Sequence, residues 1–442
     1  MVDRAAPGGG HKIIHDTVHG PIPLSGLLLK LLEAPQLQRL SGVRQLGLAH
    51  LVWPGANHTR LEHVVGVAYT ARRIAEQVSA SSGERALVEA AGLLHDVGHW
   101  PFSHTLENLM LERLGIDHQD ISRALILEEG RFRWGRGPSL RAILEGAGLE
   151  PKDVADLVGT PPGPGSLSSL HDFATGTRTA TRGRRRDLPP FLHQIVSGMC
   201  DADQMDYLRR DAHYTGVALG MIDIHRLVHT AAVEGAELVF DRSGLHAVEG
   251  MLVARDLMYS SVYFHRTARI AETMLERAVS EFSDEELLQV GQMTDGELLA
   301  AMREKGGVAA DFAERLKFRH LYKRALQVNF DELDGPAMRR LERLTEPAAR
   351  RHAEQDIEEA CRLDPGAVVV DVPPRALLRP GGKTALAGLK ILDGTKLRPI
   401  SEMSSIARAL QGRRMFDWAM LVSCPKAHVE AVGRKAWRVL LG

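Results

Sequence analysis

The stretch Gly92-Leu93-Leu94-His95-Asp96-Val97-Gly98-His99-Trp100-Pro101-Phe102-Ser103-His104 decides how the rest of the chain is read. An apolar run, Leu87 to Leu94, predicts a buried helix from Glu84 to Leu94 that delivers a histidine and an aspartate side by side at its end. Imidazole nitrogen and carboxylate oxygen placed together suit a divalent cation such as zinc, manganese or iron. A bare His-Asp pair equally fits a polar helix end with satisfied histidines. The decision rests on whether other stretches supply further ligands.

One such stretch lies upstream, from Trp53-Pro54-Gly55-Ala56-Asn57-His58-Thr59-Arg60 through Leu61-Glu62-His63-Val64-Val65-Gly66-Val67. Pro54-Gly55 marks a turn, and Asn57 or Thr59 can cap a helix starting near Arg60. Leu61, Val64, Val65 and Ala68 form its apolar side, with His63 among them. Alone, His63 reads as a core histidine; paired with a later His-Asp it is better explained as a first metal ligand. Arg60 precedes it by one turn, so both can face one pocket. The planar guanidinium fork suits a phosphate. Downstream, Cys200 to His213 packs Asp201, Asp203, Asp206 and Asp211 into one amphipathic segment. Clustered carboxylates repel unless a cation or arginines offset them. Asp203, Tyr207 and Asp211 recur every four residues and share a face. One carboxylate is expected on the metal and the others on a polar substrate.

Composition sets the frame. The 442 residues are 44% hydrophobic and 25% charged, enough for one large unit plus a smaller one. The formal net charge of -1 removes the electrostatic case for nucleic acid or an anionic membrane. Cys200, Cys361 and Cys424 are far apart and odd in number, which fits a reducing compartment rather than a disulfide framework. Met1 to Gly10 lacks the apolar core of a signal peptide, and no apolar run is long enough for a bilayer span. A cytoplasmic protein without a membrane partner is expected.

The remaining segments read as follows. His11 to Pro23 is a short hairpin or extended piece whose histidines read as surface or packing residues, with metal ligands as the alternative. Leu27–Leu32 and Gln36–Leu40 are helical, and a helix runs from about His104 to Leu114. Another follows, Ile121 to Glu128, with His118 at or near its N-terminus. His118 there is either an acid/base residue or a solvent-exposed cap. Pro161 to Pro190 is rich in Gly, Pro, Ser and Thr and ends in Arg182-Gly183-Arg184-Arg185-Arg186. It reads as a solvated loop, or as a contact to phosphate or a neighbouring subunit. Leu245–Phe282 is a long helical segment, Lys317–Val328 is basic and aromatic, and Gly335–Arg362 is a charged, exposed helix. Ala367–Val372, Thr384–Leu392 and Met420–Cys424 read as strands, Asp393-Gly394 as a hairpin turn and Ser401–Leu410 as a helix. The expected fold is mainly α, a helical bundle with a small α+β C-terminal region. Residues 1–45 form an N-terminal segment, 46–330 the core, and 331–442 a helix plus an α+β cap.

The order His63, then His95-Asp96, then Asp203 resembles the HD-domain phosphohydrolase superfamily. Longer motifs narrow the resemblance. Trp53-Pro54-Gly55-Ala56-x-His58-x-Arg60-x-Glu62-His63 is the first, and His95-Asp96-x-Gly98-His99-x-Pro101-Phe102-Ser103-His104 the second. The others are Asp201-x-Asp203-x-x-Asp206-Tyr207-x-x-Arg210-Asp211 and Arg319-x-Leu321-Tyr322-Lys323. All four are similar to the deoxynucleoside-triphosphate triphosphohydrolases, closest to the HD core of the vertebrate sterile-alpha-motif/HD dNTPases and their bacterial relatives. The similarity runs from about His11 to Val328, without a sterile-alpha-motif domain.

The resemblance implies a fold, an activity and roles. His63, His95, Asp96 and Asp203 take the places of the metal ligands, for manganese, iron, magnesium or zinc. His118 takes the place of the catalytic histidine, with Glu107 orienting it. Arg60 matches an α-phosphate contact. Gln45 and Leu46 match the pair against the sugar 3'-hydroxyl, which Asp211 bonds. Tyr207 lies under the deoxyribose and excludes a 2'-hydroxyl. Arg255 and Tyr263 keep the spacing of a phosphate contact and a sugar or base contact, and His99 and His104 fall among the substrate-binding residues. Gln204 replaces a frequent phosphate-binding lysine, and Phe264 a frequent base-reading glutamine. The implied reaction is hydrolysis of a dNTP to deoxynucleoside and inorganic triphosphate by metal-activated water attacking the α-phosphorus. A homo-oligomer, dimer or tetramer, and a nucleotide activator between subunits are implied as well. The alternatives are an HD-type nucleotide phosphatase or phosphodiesterase, and a nucleotide-sensing oligomer with slow turnover.

Overall fold

The computed structural model describes residues 12–129, 137–159, 188–373, 388–414 and 418–442. The arginine-rich run Arg182–Arg186 lies outside these residues, as do Met1–Gly10, His11 and residues 384–387 of the expected strand Thr384–Leu392. The described chain is mainly helical, with three small sheets.

β1 (Lys12–Asp16) and β2 (Gly20–Leu24) form an antiparallel hairpin that pairs Lys12 with Leu24. Two short helices, Gly26–Leu32 and Pro35–Arg39, lead on to the central pair. These are α1 (Arg60–Gln77) and α2 (Ser82–Leu94). α2 opens with a capping box: Ser81 Oγ accepts the Glu84 N–H, and the Glu84 carboxylate accepts the Ser81 N–H. The pair packs through small residues, Ala68 and Ala71 on α1 and Ala90 and Ala91 on α2, all fully buried. A Cβ at Gly92 would stand 3.2 Å from Ala68 Cα, so glycine permits this approach of the backbones. α2 ends at His95, which places the His95-Asp96 pair against α1.

A 3₁₀ turn, Ser103–Leu106, leads into α3 (Glu107–Leu114), so the helix expected from His104 begins three residues later. Gly115 closes α3 in the left-handed region at φ 68°. α4 (His118–Leu127) starts at a capping box made by Asp117 and Asp120, with His118 as its first residue. α5 (Ala202–Thr215) is capped by Asp201, whose Oδ1 accepts the Gln204 N–H at 2.7 Å. β3 (Ala231–Glu234) and β4 (Glu237–Asp241) form a second hairpin. The stretch expected as one long helical segment is α6 (Leu245–Met258), a π-helical turn Tyr259–Tyr263, and α7 (Arg266–Val279). A wide turn of this kind re-aims its side chains.

The C-terminal stretch has α+β character, but its strands divide between two sheets. β5 (Lys323–Asn329) takes up the second half of the basic-aromatic Lys317–Val328. The charged stretch Gly335–Arg362 is two helices, α8 (Gly335–Leu344) and α9 (Pro347–Cys361), because Pro347 cannot continue a helix but suits the first turn of a new one. Nor are they merely exposed: Leu341, Leu344, Glu354, Ile357 and Glu358 are buried. β6 (Val369–Asp371) is shorter than expected, and β7 (Lys390–Asp393) turns through Gly394 at φ 64° into β8 (Lys396–Pro399). The expected helix Ser401–Leu410 is split into Ile400–Met403 and Ser405–Gly412. β9 (Trp418–Cys424) is buried along its whole length between β5 and β6, and α10 (Val429–Leu440) follows it. β7 pairs parallel to β4, in a sheet of order β3-β4-β7-β8.

Candidate metal centre

Three helices converge on one buried point. α1 brings His63, the end of α2 brings His95 and Asp96, and the first turn of α5 brings Asp203. His63 Nε2 lies 3.0 Å from Asp203 Oδ1 and 3.6 Å from Asp96 Oδ2. His95 Nε2 lies 3.4 Å from Asp96 Oδ1 and 3.6 Å from Asp203 Oδ1. Ligands of a divalent ion at about 2.0–2.1 Å stand about 3.0–3.4 Å apart, so the spread suits a shared cation.

The outer atoms of both rings are tied down. His63 Nδ1 donates to Asp206 Oδ2 at 2.8 Å, and His95 Nδ1 donates to the Gly92 carbonyl at 2.8 Å. Each bond sets a tautomer that turns Nε2 inward. Both Nε2 atoms are buried without a hydrogen-bond partner among the described residues, facing carboxylate oxygens. Lone pairs facing lone pairs need a positive charge between them. The titration tendencies agree. Burial opposes protonation of His63, but Asp203 and Asp206 outweigh it and push its pKa up to about 10. His95 is likewise raised against burial by Asp96 and Asp203. Burial would lift the Asp203 carboxyl, but His63 and His95 hold it below the usual range. The cluster draws in positive charge, as protons or as a metal ion that displaces them. This donor set, two imidazoles with Asp96 and Asp203 carboxylates, fits manganese, iron, magnesium or zinc without choosing among them.

A basic and imidazole-rich wall adjoins this point. Arg60 is 1% exposed, donates from Nε to Ser103 Oγ at 2.8 Å, and contacts Asp96 through Nη1. Its Nη2 is buried without a partner, a free donor among the described residues. Glu107 receives both His118 Nδ1, through Oε1, and His104 Nδ1, through Oε2 at 2.7 Å. One carboxylate therefore orients two imidazoles. His118 stacks on His99 at 4.0 Å between ring centres. Burial lowers the His118 pKa and Glu107 raises it further, so the net shift is upward. Burial, Arg60 and His118 hold His99 well below its usual value, so it is neutral.

A cavity of about 110 Å³ opens over the centre, lined by Gln45, Arg60, His104, His118 and Tyr207 as well as by His95, Asp96 and Asp203. Four of the other sequence-selected residues, Leu46, Asp211, Arg255 and Tyr263, are not in its lining. Tyr263 Oη donates to Asp211 Oδ2 at 2.7 Å, and the Tyr263 ring meets Tyr207 edge-on at 6.0 Å. The Arg255 guanidinium lies 5.9 Å from the Tyr259 ring centre. Leu46 packs half-buried against the core. Asp211 is 1% exposed and accepts from His58 Nε2 through Oδ1 at 2.8 Å and from Tyr263 through Oδ2, one bond on each oxygen.

Sequence reading missed His58, Ser103, Asp206 and His19 as parts of this machinery. His58 and Asp206 sit inside the quoted motifs, but their partners are 153 and 187 positions away. His19, read as a surface or packing residue, is nearly fully buried at its side chain and bonds Asp206.

Comparison with known proteins extends this picture. The family model of the HD domain matches residues 60–160, and that of the HD associated region matches residues 222–441. A protein of Methanocaldococcus jannaschii is 29% identical over 427 residues, covering 95% of this chain and 80% of its own length. The deoxynucleoside triphosphate triphosphohydrolase SAMHD1 of Gallus gallus is 27% identical over 372 residues, covering 74% of this chain and 59% of its own. This chain thus spans little more than half of that relative. A crystal structure of a hypothetical protein from Aquifex aeolicus superposes with a TM-score of 0.68 at 25% identity, over 96% of this chain and all of that one.

Proposed function

The chain belongs to the HD-domain family, and from that premise we propose that it is a metal-dependent dNTP triphosphohydrolase, releasing a deoxynucleoside and inorganic triphosphate. The observation that carries the reading is the pair of imidazoles locked Nε2-inward against Asp96 and Asp203, with Arg60 and the Glu107-held His118 lining the same cavity. Metal-binding groups, a free guanidinium donor and a carboxylate-held imidazole are the parts a phosphoryl hydrolysis needs.

A bound cation at His63, His95, Asp96 and Asp203 supplies Lewis-acid chemistry, polarising a phosphoryl oxygen and acidifying water. The residues do the rest. Arg60 Nη2 has no other partner among the described residues and offers its proton to an α-phosphoryl oxygen as charge builds there. Water adds to the α-phosphorus while the bond to the 5'-oxygen breaks. His118, raised in pKa and held through Nδ1 by Glu107, gives its Nε2 proton to that departing oxygen. Tyr207 lies at the cavity wall under the sugar, braced by Tyr263, and leaves no room for a 2'-hydroxyl. Asp211, fixed from two sides, presents its remaining lone pairs to the 3'-hydroxyl. Arg255 holds the triphosphate. Phe264, where a glutamine often reads the base, is 9% exposed and packs on Trp418, so base contacts come from elsewhere.

Support for the substrate comes from the motifs and from the activity named for SAMHD1. The test is incubation of metal-loaded protein with each dNTP singly and then in mixtures, resolving products by anion exchange. Triphosphate with deoxynucleoside establishes the reaction. Activity confined to mixtures adds a nucleotide activator, as expected of an oligomer that binds nucleotide between subunits. Orthophosphate release makes the protein a phosphatase, and nucleotide-dependent assembly without product makes it a sensor. Replacing Tyr207 with Ala is expected to raise ribonucleotide turnover relative to dNTP turnover by about 10²-fold. Unchanged discrimination in that variant contradicts the role given to Tyr207.

A further inference from the structure

The most heavily bonded carboxylate near the centre belongs to none of the four ligands. Asp206 is fully buried, and each of its oxygens accepts two hydrogen bonds. Oδ2 takes His63 Nδ1 at 2.8 Å and Arg210 Nε at 2.8 Å. Oδ1 takes His19 Nε2 at 2.7 Å and Arg210 Nη2 at 2.9 Å. Asp206 thus has its own lone pairs spent, and its orientation is dictated by what holds it.

Part of what holds it comes from the N-terminal hairpin. Arg210 Nη1 donates to Asp16 Oδ2 at 2.8 Å. Asp16 Oδ1 accepts the backbone N–H groups of Val18 and His19, each at 2.8 Å, and so closes the hairpin turn. The His19 side chain is 3% exposed and meets the Tyr69 ring on α1 edge-on at 5.5 Å between centres. The hairpin therefore reaches α5 by two links, Asp16 to Arg210 and His19 to Asp206. The second ends one hydrogen bond from His63 and the first two, because Arg210 reaches His63 through Asp206. The backbone makes room for them: a Cβ at Gly66 would run into the Asp206 carboxylate and the Arg210 guanidinium.

We propose that His19 and Asp16 are positioning residues of the cation site, so that seating of the hairpin at residues 12–24 and binding of the cation strengthen each other. The inference rests on the cation reading of the centre but not on the identity of the nucleotide. The physical reason is tautomer control. His63 can present an Nε2 lone pair only while Nδ1–H has its acceptor, and that acceptor is aimed by His19 and Arg210. Whatever hairpin seating adds to cation affinity, the cation returns to hairpin seating, because binding free energies are reciprocal.

The experiment uses the full chain and zinc as the probe. Zinc affinity is measured by competition with a chromophoric chelator for the unmodified protein, His19→Leu and His19→Gln. Hydrogen exchange of the amides in residues 12–24 is followed with and without zinc. His19→Leu is expected to bind zinc up to about 10-fold more weakly, the low end of what is lost when a ligand's own outer partner is removed. His19→Gln keeps an N–H donor and is expected to recover most of that loss. Zinc is expected to slow hairpin exchange in the unmodified protein, a result that needs no variant to fold. Equal zinc affinity in His19→Leu, or hairpin exchange indifferent to zinc, overturns this inference while the cation reading stands. An unmodified protein that binds no zinc overturns both.

Discussion

Two regions of this molecule bury carboxylates, and they do so in opposite ways. In the C-terminal region Glu354 accepts the Val370 N–H at 2.8 Å and Arg351 Nη1 at 2.7 Å, and Glu358 accepts the Val368 N–H at 3.0 Å. These acids fasten α9 to β6 and its approach, and their oxygens have donors. At the centre between α1, α2 and α5, Asp96 and Asp203 instead face imidazole nitrogens that have no hydrogen-bond partner among the described residues. An unsatisfied buried polar group costs about 1–3 kcal/mol, so a convergent set of them persists only where something else is to be bound. Satisfied acids build structure here, and imidazole nitrogens left facing acids mark the site.

The largest effect is expected where the unsatisfied set is broken. Asp203→Ala should abolish turnover and bound metal together, read by elemental analysis of the purified variant beside its dNTPase rate. Metal retained at full occupancy would remove Asp203 from the ligand set. Next comes the imidazole wall. His118→Gln should lower kcat by about 10²- to 10⁴-fold while leaving metal content intact, because the lost step is proton transfer. Loss of metal in that variant would merge the two parts that the comparison keeps separate.

A smaller effect is expected in the satisfied region, and its sign follows from burial. Burial lifts the Glu354 carboxyl from an ordinary 4.5 to about 7, against the opposing pull of Arg351. Its folded pKa therefore exceeds its unfolded one. The associated stability is fully present below about pH 4.5 and is lost as pH rises through about 7. Glu354→Gln does not titrate, so it should flatten that part of the stability curve by on the order of 1–3 kcal/mol, seen in denaturant midpoints between these pH values. An unchanged slope would mean that Glu354 stays ionised throughout and that its two donors fully offset burial.

The helical class and the side-by-side placement of His63, His95, Asp96 and Asp203 were legible because local spacing carries them. An apolar run ending in His-Asp and an acidic turn opening a helix are short-range patterns. What was not legible depends on distant pairing. His19 meets Asp206 across 187 positions, and no local pattern separates it from an ordinary surface histidine such as His15. Gly335–Arg362 reads as one exposed helix because its charges are dense, yet its buried glutamates are matched by backbone donors of a strand that lies beyond it. The C-terminal strands likewise carry no sign that β7 will join β4 while β9 joins β5 and β6. Asp211 shares a helix face with Asp203 and Tyr207, but the partners that fix it, His58 and Tyr263, lie 153 and 52 positions away.

The most direct test of the central claim is hydrolysis of a single dNTP in water enriched in oxygen-18, with both products analysed by mass spectrometry. Attack at the α-phosphorus with loss of the 5'-oxygen predicts one labelled oxygen in inorganic triphosphate and none in the deoxynucleoside. Label in released orthophosphate, or in the 5'-hydroxyl of the deoxynucleoside, would contradict it.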